Sequence, residues 1–248
     1  MKNVEFLSAG HSGKYLEWKG NKLKYTVIEY KHDSIGSFQE TWTANVLPGA
    51  ESIQKFPLRN LSPSLLPKSE NLKKIEMAGD FADRLIVKAS KGEDATIGNY
   101  IHQLLCMYRD DSEFQAVIPK IASEYEVTLA ADSFMHSARK IYKWLKETYG
   151  EPVSILRETP FSFVTDDGHQ INGEIDLIYR TNEGDVLVDY KTYSGKVSDI
   201  MADEGKFSAS KYSGQVEIYR EAIGKVGGKI CDSLICYFNL GKMIRLIF

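Results

Sequence analysis

Gly173-Glu174-Ile175-Asp176 and, ten residues after that aspartate, Val186-Leu187-Val188-Asp189-Tyr190-Lys191-Thr192 are the stretches from which this 248-residue chain is best read. The second has the apolar density of a buried β-strand. Strand side chains alternate between faces, so Val186, Val188 and Tyr190 share one face and Leu187, Asp189 and Lys191 the other. A carboxylate and an ammonium in such a strand cost free energy unless they are paired or bound to a metal. Costs of that kind concentrate at functional sites.

Working outward, strands are expected at Val153–Val164 and Gln170–Arg180, joined by a turn at Asp166-Asp167-Gly168. A second turn at Asn182-Glu183-Gly184 leads into the strand Asp185–Thr192. A helix near Ser208–Ile223 and two closing strands, Ile230–Asn239 and Met243–Phe248, follow. Upstream, helices are expected at about Leu72–Ala89, Thr96–Met107 and Val117–Glu126, with a longer one capped by Asp132 and ended by Gly150 and Pro152. Residues 1–47 read as a β-rich extension, with Lys14–Trp18 and Lys22–Tyr30 split by Gly20-Asn21. Residues 48–72 hold four of the seven prolines and read as a linker, which leaves 73–248 as the main domain. The order helix, three strands, helix, two strands is that of an α/β domain.

Composition narrows the choices. A formal net charge of −3 supplies no global attraction to nucleic acid, although it leaves room for a local basic groove. Three scattered cysteines, Cys106, Cys231 and Cys236, do not make a disulfide framework and suit a reducing, cytoplasmic setting. Their spacing fits no common zinc pattern. No apolar run reaches the ~20 residues of a membrane span, so no membrane partner is expected.

Asp176 and Asp189 can lie side by side where their strands pair. Two close carboxylates repel each other unless a cation intervenes, and hard oxygen ligands suit Mg²⁺ or Mn²⁺. Lys191, on the Asp189 face, can orient an attacking water or neutralise a phosphate. Glu158 in the preceding strand can add a third carboxylate, with Glu174 a second candidate. A bare Asp-x-Lys arises roughly once by chance in a chain of this composition and is then a surface ion pair. Its place in an apolar strand after Gly-x-x-Asp makes it more specific. His102, one turn beyond Gly98, is either a partly buried structural histidine or a ligand. Tyr212, Gln215 and Tyr219 share one helical face and are either a packing patch or part of a site. Lys196, Lys206, Lys211 and Arg220 are either phosphate contacts or scattered surface charge, and the loop 193–205 is a candidate cover for the site.

Taken in order, Gly98 with His102, Glu158, Gly173 with Asp176, Asp189-Tyr190-Lys191, and Gln215 with Tyr219 resemble the motif series of the PD-(D/E)XK nuclease superfamily, and within it the RecB-type nuclease domains. The resemblance covers about residues 60–240 and implies a restriction-endonuclease-like core, a mixed central sheet flanked by helices. It implies metal-dependent hydrolysis of DNA phosphodiesters, with Glu158, Asp176, Asp189 and Lys191 catalytic. His102, Asp176, Asp189 and the Tyr190 carbonyl would hold one or two Mg²⁺ or Mn²⁺ ions. Tyr212, Gln215 and Tyr219 would contact the nucleic acid.

RecB-type domains often end large helicase–nucleases, and Leu61-Ser62-Pro63-Ser64-Leu65 resembles the linker preceding them in AddA-like and RecB-like proteins. The implied role is therefore an exonuclease domain acting in double-strand-break repair and recombination. A helicase motor in the same full-length chain and a second nuclease subunit would be its partners, and residues 1–47 could be the tail of that motor. A freestanding phage or defence nuclease, or an inactive nucleic-acid-binding domain on the same fold, are the alternatives. No Gly-x-x-x-x-Gly-Lys-Ser/Thr loop occurs, so no ATPase is expected in this chain. Some relatives carry an iron–sulfur cluster on four cysteines; with three cysteines here, no such cluster is expected.

Overall fold

The computed structural model describes residues 15–18, 21–24, 60–89, 94–125, 127–128, 131–165 and 168–248. The chain divides into two units, Met1–Gln54 and Lys55–Phe248. In the first, β1 (Tyr15–Trp18) and β2 (Asn21–Lys24) pair antiparallel, Tyr15 opposite Lys24. The rest of the expected β-rich extension, and the linker as far as residue 59, lie outside the described residues.

The second unit runs β3 (Asn60–Leu61), β4 (Lys74–Asp80), β5 (Lys88–Ala89), α1 (Asp94–Met107), α2 (Asp111–Phe114), α3 (Ile118–Tyr125), β6 (Val127–Thr128) and α4 (Ala131–Tyr149). It continues through β7 (Ser154–Val164), β8 (Gln170–Arg180), β9 (Asp185–Lys191), α5 (Val197–Ile200), α6 (Ser213–Lys225), β10 (Ile230–Tyr237) and β11 (Lys242–Ile247). Seven strands form one mixed sheet in the order β4–β11–β10–β9–β8–β7, with β3 beside the start of β8. Neighbours are antiparallel except β9 with β10 and β3 with β8. The parallel pair needs a crossover, and α6 lies in it. This mixed sheet with flanking helices is the restriction-endonuclease-like α/β arrangement that the motif order implied.

Alternation in β9 sorts its residues as the pattern predicts. Val186, Val188 and Tyr190 are buried with Leu177 and Tyr179 against α1 and α4, where Ile101, Leu104, Leu105, Phe134 and Ile141 supply the helical half of the core. Leu187 lies on the other face with Ile178, Tyr219 and Ile223 of the α6 layer. Full burial of such side chains stabilises by about 1.5–3 kcal/mol each, which is what holds the helices to the sheet.

Two expectations differ from the structure. Residues 74–80, expected within a helix, form the edge strand β4 paired with β11. Lys, Glu, Met and Ala favour helix locally, but the open edge of β11 offers a complete ladder, and tertiary pairing overrides that weak preference. Gly79 fits the strand closely, since a Cβ there would stand 2.5 Å from the Trp144 Nε1 of α4. Residues 60–72, expected as connector, are fastened to the sheet and to α6. Leu61 pairs with Ile171, and the Ser69 N–H donates to the Ser213 hydroxyl at 2.8 Å.

Candidate active site

The decisive local feature is the separation of β8 from β9. Their ladder runs from Arg180–Asp185 to Leu177–Val188 and stops there. One residue on, the Asp176 carboxylate fills the opening and accepts the Tyr190 N–H through Oδ2 at 2.6 Å. On the far side of β8, the β7 pairs Arg157–Leu177 and Thr159–Ile175 bracket Glu158, which has φ +43°. It is the one non-glycine residue with positive φ among those described. That region costs a residue with a Cβ of order 1 kcal/mol or more, and such strain gathers at functional sites. Pro160 lacks an N–H and is tolerated because β7 is an edge strand.

From the opposite layer, α1 lowers His102 onto the same opening. Its Nε2 lies 3.0 Å from the Tyr190 carbonyl oxygen, so that nitrogen carries the donated proton. Nδ1 then presents a lone pair 3.6 Å from Asp176 Oδ1. Two acceptors facing each other call for a proton or a cation between them. One ligand atom each from His102, Glu158 and Asp176 fall within 4.8 Å of one another. An imidazole with two carboxylates fits a divalent cation.

The electrostatics agree. Burial, then the neighbouring Asp176 carboxylate, push Glu158 up to about 7, with His102 opposing. Burial also lifts Asp176 to about 6; the neighbouring His102 and Lys191 and the Tyr190 N–H oppose this, while Asp189 adds to it. This is a cluster of carboxylates short of positive charge. Exposed Glu174 adds to the pressure on Glu158 from across the ladder but is not one of the three clustered groups.

Asp189 is placed differently. It is 1 % exposed, with Oδ2 2.5 Å from the Lys191 ammonium and Oδ1 accepting from Gln215 Nε2 at 2.9 Å. Gln215 Nε2 also donates to the Tyr219 hydroxyl at 2.5 Å, and the Tyr219 ring packs edge-on against Phe161. Burial pulls the Lys191 ammonium down, but Asp189 and Asp176 outweigh it and hold its pKa above the usual lysine value. Lys191 also sits 4.5 Å from the Tyr212 ring centroid. Gln215 and Tyr219 are buried, Gln215 bonded to Asp189 and to the Tyr219 hydroxyl. Tyr212, by contrast, is on the cleft wall.

That cleft measures about 940 Å³ and is lined by α1 residues including Gly98 and His102, by Glu158 and Lys191, and by Tyr193, Phe207 and Tyr212. A Cβ on Gly98 would meet Thr192 Oγ1 at 3.3 Å, so its missing side chain lets the end of β9 approach the helix rather than clearing room for His102. The loop after β9, expected as a movable cover, is tied down. Arg84 donates to the Ser194 and Gly195 carbonyls at 3.0 and 2.5 Å, and Asn239 donates to the Ser194 hydroxyl. Arg84, Tyr193 and Phe207 carried no sequence signal, because their meeting depends on segments far apart in the chain. Arg220 faces away, bonded to Ser233 and stacked on Phe248.

A family model for the PD-(D/E)XK nuclease superfamily matches residues 80–243, and the chain belongs to that superfamily. The match spans every element that builds the opening between β8 and β9. Among curated proteins, an ATP-dependent helicase/nuclease subunit of Listeria monocytogenes serotype 4b (strain F2365) is 31% identical over 103 residues, 36% of this chain and 8% of that protein. Its namesake from Clostridium botulinum (strain Kyoto / Type A2) is 22% identical over 253 residues, 93% of this chain and 18% of that protein. The chain therefore spans under a fifth of the length of these relatives. Among the described residues no helix is long and apolar enough to cross a membrane.

Proposed function

We propose that this chain is a metal-dependent deoxyribonuclease that hydrolyses phosphodiester bonds in its cleft, working from strand ends as the nuclease part of a helicase–nuclease in double-strand-break repair. The observation that carries the chemistry is the His102–Glu158–Asp176 cluster, set beside a half-buried lysine that lines an open cleft. The helicase association rests on the names of the helicase/nuclease relatives alone.

His102 Nδ1, Asp176 Oδ1 and the Glu158 carboxylate would hold the ion. The Tyr190 carbonyl, with one lone pair taken by His102, has a second available. A bound Mg²⁺ or Mn²⁺ would supply Lewis-acid polarisation of the phosphate and a lowered water pKa. The remaining work falls to the protein. Asp189 keeps Lys191 charged and aimed, so the ammonium can meet the phosphate or the attacking water. Gln215 keeps Asp189 in place, and Tyr219 keeps Gln215 in place. Glu158, pushed up to about 7 by burial while no ion is bound, would release its proton as the ion binds.

The test is digestion of end-labelled linear and closed circular single-stranded DNA with Mg²⁺, with Mn²⁺ and with chelator, for the wild type, Asp189→Ala and Lys191→Ala. Metal-dependent loss of the linear strand that both substitutions abolish is the expected result. Cutting in chelator, or unchanged cutting by both variants, would refute the site. Cutting of the circle would refute action from ends.

A further inference from the structure

The Lys191 ammonium has two partners of different kinds. Asp189 Oδ2 stands 2.5 Å away, and the centroid of the Tyr212 ring is 4.5 Å from Nζ. Both Lys191 and Tyr212 line the cleft. A single carboxylate fixes one direction only, and the flexible four-carbon stem of a lysine can still turn about that contact. An aromatic face attracts a cation within about 6 Å of its centroid, more strongly once water is partly excluded. Exposed Lys211 lies 5.9 Å from the same centroid, at the limit of that range. The ring is itself held in place. Tyr212 ends a 3₁₀ turn, Ala209–Tyr212, that leads directly into α6. Ser208 Oγ accepts the Ser210 N–H at 3.2 Å, Ser210 Oγ donates to the Asp203 carbonyl at 2.6 Å, and Ser213 Oγ donates to the Ser210 carbonyl at 2.6 Å. All three serines are buried. Tyr212 also packs against the apolar cluster that includes Ile235 and Ile244.

We propose that Tyr212 is a positioning residue for Lys191: its ring holds the ammonium in place at the cleft, and it serves turnover through the lysine rather than by gripping the DNA strand. The proposal rests on the nuclease reading above. An ammonium has three N–H donors. With Asp189 and the ring each fixing one direction, what remains is presented to the phosphate or the attacking water. Without the ring the stem samples more rotamers, and a smaller fraction of the bound enzyme has its ammonium in place. Turnover falls by that fraction, whereas substrate affinity, set by contacts elsewhere in the cleft, does not. A ring that stacked on a base would show the reverse, weaker binding at unchanged kcat.

The experiment grades the charge of the ring at position 212. It compares the wild type, Tyr212→Phe, phenylalanine analogues with increasing ring fluorination at that position, and Tyr212→Leu. Fluorine withdraws charge from the ring face at nearly constant shape, so the cation contact weakens stepwise while packing is kept. kcat and KM are read on linear single-stranded DNA with Mn²⁺. Tyr212→Leu is expected to lose about 5- to 30-fold in kcat, the range that a partly desolvated cation–π contact supplies, with KM changed by less than about twofold. Tyr212→Phe should recover most of that loss, and kcat should fall again along the fluorine series, which does not depend on Tyr212→Leu folding. Urea denaturation in chelator needs no turnover. Its midpoint should also fall along the series, although added fluorine makes a ring more apolar. A rise in KM at constant kcat overturns the proposal. So does a loss in Tyr212→Phe as large as in Tyr212→Leu, which would assign the work to the hydroxyl. A wild type that does not cleave overturns the nuclease reading and the proposal with it, whereas a flat kcat series beside an active wild type overturns the positioning role alone.

Discussion

Replacing Asp176 by Asn separates stability from function at the opening between β8 and β9. The Asp176 carboxyl is lifted from 3.8 to about 6, chiefly by burial. An acid that binds its proton more tightly in the native state subtracts stability once the pH passes its unfolded value. The loss begins near pH 3.8, grows to about pH 6 and is constant above that, where it amounts to about 3 kcal/mol. Asn removes that charge and keeps an oxygen to accept the Tyr190 N–H, but places a new amide donor near His102. A net gain of about 1–2 kcal/mol at pH 8 is expected, with metal absent. For a chain of this size, that raises the melting temperature by roughly 3–6 °C. The difference should shrink as the pH falls toward 4. Metal reverses the order. Mn²⁺ at 100 times its dissociation constant stabilises the wild type by ≈ 2.7 kcal/mol, while the variant, lacking a ligand, gains little. Differential scanning fluorimetry at pH 4, 6 and 8, in chelator and with Mn²⁺, reads both effects. A variant that melts below the wild type at pH 8 in chelator, or that responds to Mn²⁺ as the wild type does, would refute the electrostatic account of the site.

Lys191→Met leaves the buried Asp189 carboxylate without its partner, so about 3–5 kcal/mol of stability should be lost along with activity; urea denaturation of a variant as stable as the wild type would contradict the pairing. Gln215→Leu should lower kcat tenfold or more while leaving KM nearly unchanged, because it touches Asp189 rather than the strand; steady-state kinetics in which only KM rises would instead favour direct contact with DNA. Arg245→Met removes the guanidinium that pairs with Asp232 at 2.7 Å beside the Tyr149 hydroxyl. About 1–3 kcal/mol should be lost with metal-dependent turnover per folded molecule intact, a result that thermal melts and active-site titration together would check.

Much of the fold was legible in the chain because β7 to β11 carry strand periodicity and sharp turn signals at Asn182-Glu183-Gly184 and Gly241-Lys242. Residues 74–80 misled for a physical reason. Their composition favours helix, and only the free edge of β11, distant in sequence, makes them a strand. The candidate site was partly visible in the same way. Asp176, Asp189 and Lys191 stand out because charge in an apolar strand is costly.

What the chain by itself determined was which residues carry chemistry, since the penalty for burying charge is written into the local pattern. Tertiary structure decided how they divide the work. The opening of the β8–β9 ladder at Leu177 turns Asp176 toward His102 and Glu158, while Asp189 is turned toward Lys191 and Gln215. It also brings Tyr193 and Phe207 to one cleft wall and Arg84 to the carbonyls of Ser194 and Gly195. Periodicity specifies which face of its own strand a side chain occupies, whereas the group it meets there is set by strand divergence and helix docking.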